Sequence, residues 1–253
     1  MRRLLHGALA TAAVVLAACG QGAALDRLAA GEHGRVTEVR AGDVIVLDSG
    51  LVVRLAGLET PRPGDPGADE ARAALAGLVQ GREVQLFYGG ARRDRTGRAL
   101  AQVRLIGGEW VEGAMLRAGE AEARTFADNR ALAREMLDDE ARARIARRGL
   151  WRAGGAYRVL LPQEVAAAPP GFAIVEGSVR RISDSGHGVF LEFTDQADGF
   201  AAEVASDAVS DLAAAGEAPQ RLAGRLVRVR GYVSRDGLMP IDHPEQIEMV
   251  DIR

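Results

Sequence analysis

Lysine is absent from this 253-residue chain, cysteine occurs once, and aromatic residues make up only 4% of it. The single cysteine excludes an intramolecular disulfide and a cysteine-rich zinc site. With so few aromatic rings, the core must be built mainly from leucine, valine, alanine and isoleucine. Every cationic side chain is an arginine, and no functional conclusion follows from that alone.

Histidine and net positive charge are also scarce. The four histidines have no metal-ligand spacing, so we expect them at the surface or in loops; they are His6, His33, His187 and His243. The formal net charge is −3, so binding to nucleic acid would require a local basic patch. The length and the apolar content of 47% suit one or two packed domains.

The first 20 residues have the pattern of an export signal. Two arginines precede an apolar run at residues 4–18, which is too short for a stable membrane span. Residues 16–20 read Leu-Ala-Ala-Cys-Gly, a sequence that resembles the bacterial lipobox, in which the cysteine thiol is acylated after cleavage. We therefore predict a lipoprotein signal peptide at residues 1–18 and lipidation of Cys19. The alternative is an ordinary signal or an N-terminal anchor with an incidental cysteine.

Lipidation at Cys19 implies an exported protein that is anchored in the cell envelope and contacts the membrane through its lipid alone. Cleavage removes Arg2 and Arg3 and no acidic residue, so the formal charge of −3 becomes −5. Residues 19–33 are rich in glycine and alanine. They predict a short tether between the lipid and the first domain.

The rest of the chain divides into two β-rich blocks. Residues 34–152 alternate in hydrophobicity and predict a first domain with helices at residues 68–80, 112–118 and 129–148. Residues 153–170 predict a linker. Residues 171–253 predict a second domain, with strands near 174–182, 189–194, 200–204, 226–233 and 246–251 and a helix at 206–215. The predicted fold class is mainly β with helices, consisting of two OB-type β-barrels.

Five short motifs follow one another in the first block. In chain order they are Ala41-Gly42-Asp43-Val44, Val53-Arg54-Leu55, Gly57-Leu58-Glu59-Thr60-Pro61, Asp94-Arg95-Thr96-Gly97-Arg98-Ala99-Leu100-Ala101 and Gly149-Leu150-Trp151. Each motif is weak alone, but five in order make a specific signal. The segment resembles the staphylococcal nuclease (thermonuclease) family, and this resemblance implies an OB-type barrel with packed helices.

The resemblance also implies a set of site residues. Asp43 and Glu59 correspond to the family's calcium carboxylates, and Thr60 would offer its backbone carbonyl. Arg54 and Arg98 correspond to the two arginines that bind phosphate. Hard Ca²⁺ and guanidinium groups both offset the negative charge that builds up during phosphodiester hydrolysis.

One catalytic position differs from the family. The family motif continues Thr-Pro-Glu, and that glutamate is its proposed general base, whereas this chain has Arg62. Arginine cannot act as a base near neutral pH. Three nearby acids could substitute for it, namely Asp65, Asp69 and Glu70.

Aromatic contacts to a substrate are also reduced. The family's phosphate loop carries a tyrosine where this chain has Thr96, and only Phe126 offers a ring face in residues 120–126. Since stacking contributes about 1–3 kcal/mol per base, we expect a weak hold on nucleotides. In the second block Phe190, Phe193, Phe200 and Tyr232 could line a binding face, but alternation favours packing or protein interaction.

These observations lead to one function and one alternative. The prediction is Ca²⁺-dependent phosphodiester hydrolysis of DNA or RNA, weakened by the change to Arg62. The alternative is a catalytically silent module with the nuclease fold, which binds nucleic acid or an envelope protein. Arg62 is the feature that supports the alternative.

Overall fold

The computed structural model describes residues 24–186, 188–195, 199–216 and 218–250. The predicted signal peptide and Cys19 lie outside these ranges, so their roles stay predictions. No helix within the described ranges is long and apolar enough to cross a membrane.

The first block contains seven strands and three helices. They are β1 (Ala29–Ala41), β2 (Val44–Leu47), β3 (Val52–Leu55), β4 (Leu58–Glu59), α1 (Ala68–Val79), β5 (Glu83–Tyr88), β6 (Ala99–Leu105), α2 (Val111–Ala118), β7 (Glu122–Ala123) and α3 (Ala133–Ile145). Helices α1 and α2 lie within one residue of their predicted bounds, whereas α3 begins four residues later and ends three residues earlier than predicted.

Five of these strands close into a barrel in the order β1-β2-β3-β6-β5. Neighbouring strands are antiparallel except β3 and β6, which are parallel. Alternation decides which side chains enter the barrel: on β3, Val53 and Leu55 are buried while Arg54 is only partly covered. The predicted OB-type barrel with packed helices is confirmed.

The core is aliphatic, as the composition predicts, with one tryptophan at its centre. Trp110 is buried, and its indole nitrogen donates to Gln102 Oε1 at 2.8 Å. The Gln102 amide in turn donates to the backbone oxygen of Ala56 at 3.1 Å. This short chain of hydrogen bonds satisfies the polar atoms inside the barrel.

Two predicted boundaries are wrong. Strand β1 begins at Ala29, so the last five residues of the predicted tether belong to the barrel, where Ala29 pairs with Tyr88 and His33 with Gln85. The predicted linker contains β8 (Val159–Leu160), which pairs in parallel with β9 (Gly171–Ser178), followed by a short 3-10 helix at Pro162–Ala167. The end of the tether is rich in small residues and β8 is only two residues long, so neither shows a strand pattern, yet pairing with β5 and with β9 satisfies their backbone groups.

The second block continues with β10 (Arg181–Asp184), β11 (Gly188–Glu192), β12 (Ala201–Ala205), α4 (Ala208–Ala214), β13 (Leu226–Val233), β14 (Leu238–Ile241) and β15 (Ile247–Met249). They form two four-stranded sheets, β10-β11-β12-β14 and β15-β13-β9-β8. The single strand predicted at residues 174–182 is divided between β9 and β10. The prediction also missed β14, because Pro240 interrupts its hydrophobic pattern.

Pairing in the second block follows the order of the first. Strand β12 pairs in parallel with β14, as β3 does with β6, and β13 pairs antiparallel with β9, as β5 does with β1. Phe193 and Phe200 are buried with ring centroids 5.2 Å apart. The expectation that aromatic residues of this block pack inside is therefore confirmed for these two rings.

A buried ion-pair network joins the two blocks. Arg230 on β13 donates to Glu140 on α3 at 2.6 Å, to the backbone oxygen of Ala123 at 3.0 Å and to Glu248. Arg230 and Glu140 are both buried. Because a buried charge is costly without its partner, this network couples the stability of the two blocks.

The first prediction concerns this network. Replacing Arg230 by Met leaves the buried Glu140 without its closest cation, and we expect the free energy of unfolding to fall by about 3 kcal/mol. Urea unfolding followed by circular dichroism measures the change. Adding Glu140→Gln to Arg230→Met should recover part of the loss, whereas additive losses in the double variant would contradict the coupling.

The second prediction concerns Glu112, which is buried and accepts the Val103 amide at 3.0 Å with each carboxylate oxygen. Burial raises the pKa of Glu112 from its ordinary 4.5 to about 8, against the opposing hydrogen bonds. The folded chain therefore holds a proton that the unfolded chain releases, so stability falls as the pH rises between these values. Relative to Glu112→Gln, the wild type should lose about 3 kcal/mol between pH 5 and pH 8.

Urea unfolding at several pH values measures this difference. The control is Glu83→Gln, because the Glu83 side chain is exposed and should leave the pH dependence unchanged. Parallel stability profiles for wild type and Glu112→Gln would show that Glu112 does not titrate in this range.

Candidate functional site

The first site residue, Asp43, lies in the tight turn between β1 and β2. The turn packs directly on helix α1, because a Cβ placed on Gly42 would come within 2.7 Å of the Ala71 Cβ. Glycine is therefore required there for steric reasons. The backbone oxygen of Asp43 accepts the Leu55 amide at 2.8 Å, which anchors the turn to β3.

Arg54 connects the two predicted metal carboxylates. It lies on the barrel face opposite to Val53 and Leu55 and is paired with Val44 across β2. Its Nε donates to Asp43 Oδ2 at 3.0 Å, and its Nη2 lies 3.6 Å from Glu59 Oε2. Burial raises the pKa of Asp43, and Arg54 opposes that effect.

Glu59 lies on β4, which pairs with β7. Its Oε2 accepts a hydrogen bond from Arg124 at 2.6 Å, and its Oε1 accepts one from the Tyr232 hydroxyl at 3.2 Å. Both oxygens of this carboxylate are thus already bonded to the protein. Tyr232 belongs to β13, so the second block reaches into the site of the first.

Arg98 follows the charged turn at residues 92–97 and is held by Asp94. Its Nε lies 2.6 Å from Asp94 Oδ2, and Asp94 also accepts the backbone amides of Thr96 and Arg98. Burial alone would raise the pKa of Asp94, but hydrogen bonds from Thr96 and Arg98 outweigh it and lower the pKa to about 2. Asp94 therefore stays ionised and positions the Arg98 guanidinium.

Arg62 is exposed and turns toward the second block. Its Nη2 donates to the Tyr232 hydroxyl at 2.8 Å, and its backbone amide donates to Asp65 at 3.3 Å. The position that resembles the family's general base thus carries a cation hydrogen-bonded to a phenol.

The six residues predicted for the nuclease site, from Asp43 to Arg98, all line one cavity of about 450 Å³. Its charged and phenolic lining consists of Arg40, Asp43, Arg54, Glu59, Arg62, Arg98, Arg124 and Tyr232, and Thr60 lies beside them. Five arginines face two carboxylates in this lining, and Glu38 and Asp94 pair with Arg40 and Arg98 from beside it. One positive charge therefore remains in excess. Such a lining attracts anions, and guanidinium groups can bind two phosphoryl oxygens at once.

The substitute acids named from the sequence do not line this cavity. Glu70 accepts two hydrogen bonds from Arg152, both at 2.8 Å. The Asp69 side chain is 98% exposed and lies 3.6 Å from Arg72. The structure therefore brings none of the three acids, Asp65 included, into contact with the cavity.

The sequence did not indicate three of the charged or phenolic lining residues, namely Arg40, Arg124 and Tyr232. For Tyr232 it predicted packing or a separate binding face. Arg124 and Tyr232 carry no local signal, because Arg124 reaches Glu59 through the pairing of β4 with β7, and Tyr232 reaches it through the packing of the two blocks.

His243 lies in the loop between β14 and the 3-10 helix at Pro244–Gln246, as one of the expected alternatives, but not at the surface. It is buried, its Nε2 lies 2.7 Å from Thr125 Oγ1, and its Nδ1 contacts Asp242. It lines a smaller cavity of about 140 Å³ that shares Arg124 and Tyr232 with the larger one. Since Thr125 belongs to the first block, the contact between the two blocks contributes to this burial.

The donor set does not fit a calcium ion as it is arranged. Ca²⁺ takes roughly six to eight oxygen ligands, some of them waters, and its protein ligands in this cavity would be the carboxylates of Asp43 and Glu59 and the predicted carbonyl of Thr60. Arginine occupies one oxygen of Asp43 and one of Glu59, and Tyr232 occupies the other oxygen of Glu59. Within the described ranges, no cluster of three or more His, Cys, Asp or Glu side chains could hold a metal.

Comparison with known proteins shows what part of the first block is similar to. Residues 52–153 match the family model described as staphylococcal nuclease homologue. Two curated proteins, one from Escherichia coli O157:H7 and one from Escherichia coli, each described as an uncharacterized endonuclease, are 37% identical over 97 residues. The match covers 37% of this chain and 62% of each relative, so this chain spans less than two thirds of their length.

Proposed function

We propose, from the match of residues 52–153 to the staphylococcal nuclease homologue family, that this cavity binds and hydrolyses phosphodiester bonds of DNA or RNA. The observation that carries the proposal is the convergence of Arg54 and Arg98 on one cavity beside the Asp43 carboxylate. The relatives described as endonucleases support the same class of reaction.

The two arginines act on the phosphoryl group. In hydrolysis, water adds to phosphorus, the bond to the leaving oxygen breaks, and negative charge builds up on the non-bridging oxygens. Asp43 and Asp94 hold Arg54 and Arg98 in place, so both guanidinium groups are oriented before the substrate binds. Preorganised cations of this kind stabilise the developing charge without reorganising during the reaction.

The reaction should be slow because no carboxylate occupies the position of the general base. A positioned base typically contributes about 10²–10⁴-fold in rate, and Arg62 cannot supply it. The calcium dependence that the resemblance implies, with Asp43, Glu59 and Thr60 as ligands, is the part of the prediction that the geometry supports least. No step of the proposed reaction therefore passes through a metal ion.

The second candidate is the catalytically silent module that binds nucleic acid or an envelope protein. It is favoured by the contacts of Glu59 with Arg124 and Tyr232, together with the Arg62 hydrogen bond to Tyr232. These contacts leave the cavity positively charged. They also occupy Glu59, which would hold a metal, and Arg62, which stands at the position of the base that would activate water.

We also propose where the protein is located and which fold its second block has. A lipid on Cys19 would tether the protein in the cell envelope, with residues 1–18 removed as its signal. We propose an OB-type assignment for the second block, which the parallel pairing of β12 with β14 and the pairing of β13 with β9 support. A nuclease at this location would meet nucleic acid outside the cytoplasm.

The third prediction tests hydrolysis directly. We expect slow cleavage of single-stranded DNA by residues 20–253 and a loss of about 10²–10³-fold in Arg98→Ala, because one cation of the transition state is removed. Gel analysis of labelled oligonucleotide with Ca²⁺ and with chelator measures both the rate and its metal dependence. The matched control is Arg95→Ala, an exposed residue of the same turn that does not line the cavity.

Two outcomes separate the candidate functions. Cleavage that Arg98→Ala abolishes and Arg95→Ala retains would establish the enzyme. An intact substrate after incubation with the folded wild type, across several divalent metals and chelator, would reject hydrolysis and favour the silent module.

The fourth prediction concerns the altered base. Arg62→Glu restores a carboxylate at the family's position, and we expect the cleavage rate to rise by at least about tenfold, part of the contribution of a positioned base. Arg62→Gln is the control, since it removes the cation without supplying a base. Equal rates in the two variants would place Arg62 outside the chemistry.

A further inference from the structure

The guanidinium of Arg124 is enclosed by three aromatic rings from both blocks. Its Cζ lies 4.4 Å from the ring centroid of Tyr232, 4.6 Å from that of Phe126 and 6.0 Å from that of Phe172. Phe172 and Tyr232 are direct partners across β9 and β13, with ring centroids 6.3 Å apart. In a chain with 4% aromatic residues, this cluster is a concentrated cation–π site.

The cluster fixes Arg124 against a residue that resembles a metal ligand. Arg124 Nη1 lies 2.6 Å from Glu59 Oε2, and the exposed fractions of the two side chains are only 21% and 15%. Arg54 adds a second cation 3.6 Å from the same oxygen. The negative charge of Glu59 is thus balanced by the protein itself, in surroundings that screen charges weakly.

We propose that Arg124 supplies the fixed positive charge that a metal ion would otherwise supply, so that the cavity binds nucleic-acid phosphodiester without a divalent cation. The second block makes this possible, because Phe172 and Tyr232 hold the guanidinium in place. The inference rests on the proposed function for its ligand, and it goes further by naming the cation and the role of the second block.

Charge and geometry both favour an arginine over a metal ion here. A divalent cation bound between Asp43 and Glu59 would lie beside Arg54 and Arg124 and would be repelled by both. Without it, the cavity still keeps a positive excess after Glu38 and Asp94 are counted against Arg40 and Arg98, and this excess attracts the singly charged phosphates of a nucleic-acid strand. A planar guanidinium can also contact two phosphoryl oxygens at once.

Binding of a fluorescein-labelled single-stranded DNA oligonucleotide tests the inference. Fluorescence anisotropy with residues 20–253 should give the same Kd, within about twofold, in chelator and in millimolar Ca²⁺. Arg124→Met should raise the Kd in chelator by about tenfold, since one charge-assisted contact is lost. The matched control is Arg158→Met, which removes an arginine whose side chain is 61% exposed and lies outside the cavity.

A variant of the second block tests whether the aromatic rings position Arg124, separately from the charge of Arg124 itself. Tyr232→Leu keeps Arg124 but removes one wall of its aromatic enclosure and the hydroxyl bound to Glu59. We expect weaker DNA binding in chelator, between the affinities of the wild type and Arg124→Met. Wild-type affinity in either variant, with folding verified by circular dichroism, would overturn the proposed role of Arg124 and of the second block.

Calcium titration provides a readout that needs no nucleic acid. Isothermal titration calorimetry of the wild type should show no saturable binding of Ca²⁺ at the cavity, that is, none that the Asp43→Asn variant loses. Such binding, or DNA binding that appears only with Ca²⁺, would overturn the inference and leave the proposed function standing. If the folded protein binds no DNA in either condition, the proposed function fails and the inference falls with it.

Discussion

The carboxylate of Glu59 is the point on which the candidate site depends. Arg124 and Arg54 approach one of its oxygens, and the Tyr232 hydroxyl binds the other. A largely buried carboxylate needs such partners, since an unpaired charge would be costly. By meeting that need with residues from both blocks, the protein connects its barrel, its second domain and the cationic lining of the cavity.

Because the chain has no lysine, every basic contact to Glu59 is made by an arginine guanidinium. A guanidinium can bind a carboxylate with one edge while its flat face lies against an aromatic ring, as Arg124 does with Tyr232. The compact, strongly hydrated ammonium of a lysine would match this arrangement poorly. An arginine also makes several contacts at once between the two blocks, where the buried Arg230 binds Glu140, Glu248 and a backbone oxygen.

Much of the candidate site could be predicted because its residues lie on the barrel. Asp43, Arg54 and Arg98 each lie in a short motif that resembles the thermonuclease family, and the structure adds that Arg54 faces away from the core and that Asp94 holds Arg98. Arg62 was recognisable by its place in a motif. The missed strand β14 shows the limit of such patterns, since Pro240 removes the alternation and a parallel partner stabilises the segment from outside.

By itself, the sequence determined the aliphatic core and the barrel strands, because short-range patterns encode strand direction and turns, and its resemblance to the thermonuclease family implied the convergence of Asp43, Arg54, Glu59 and Arg98. Only the tertiary structure decided what surrounds those residues. Three residues, Arg124, Tyr232 and His243, make hydrogen bonds to partners that lie 65 to 173 residues away in the chain. Such contacts depend on how two packed surfaces meet, and no local pattern of hydrophobicity or charge records that.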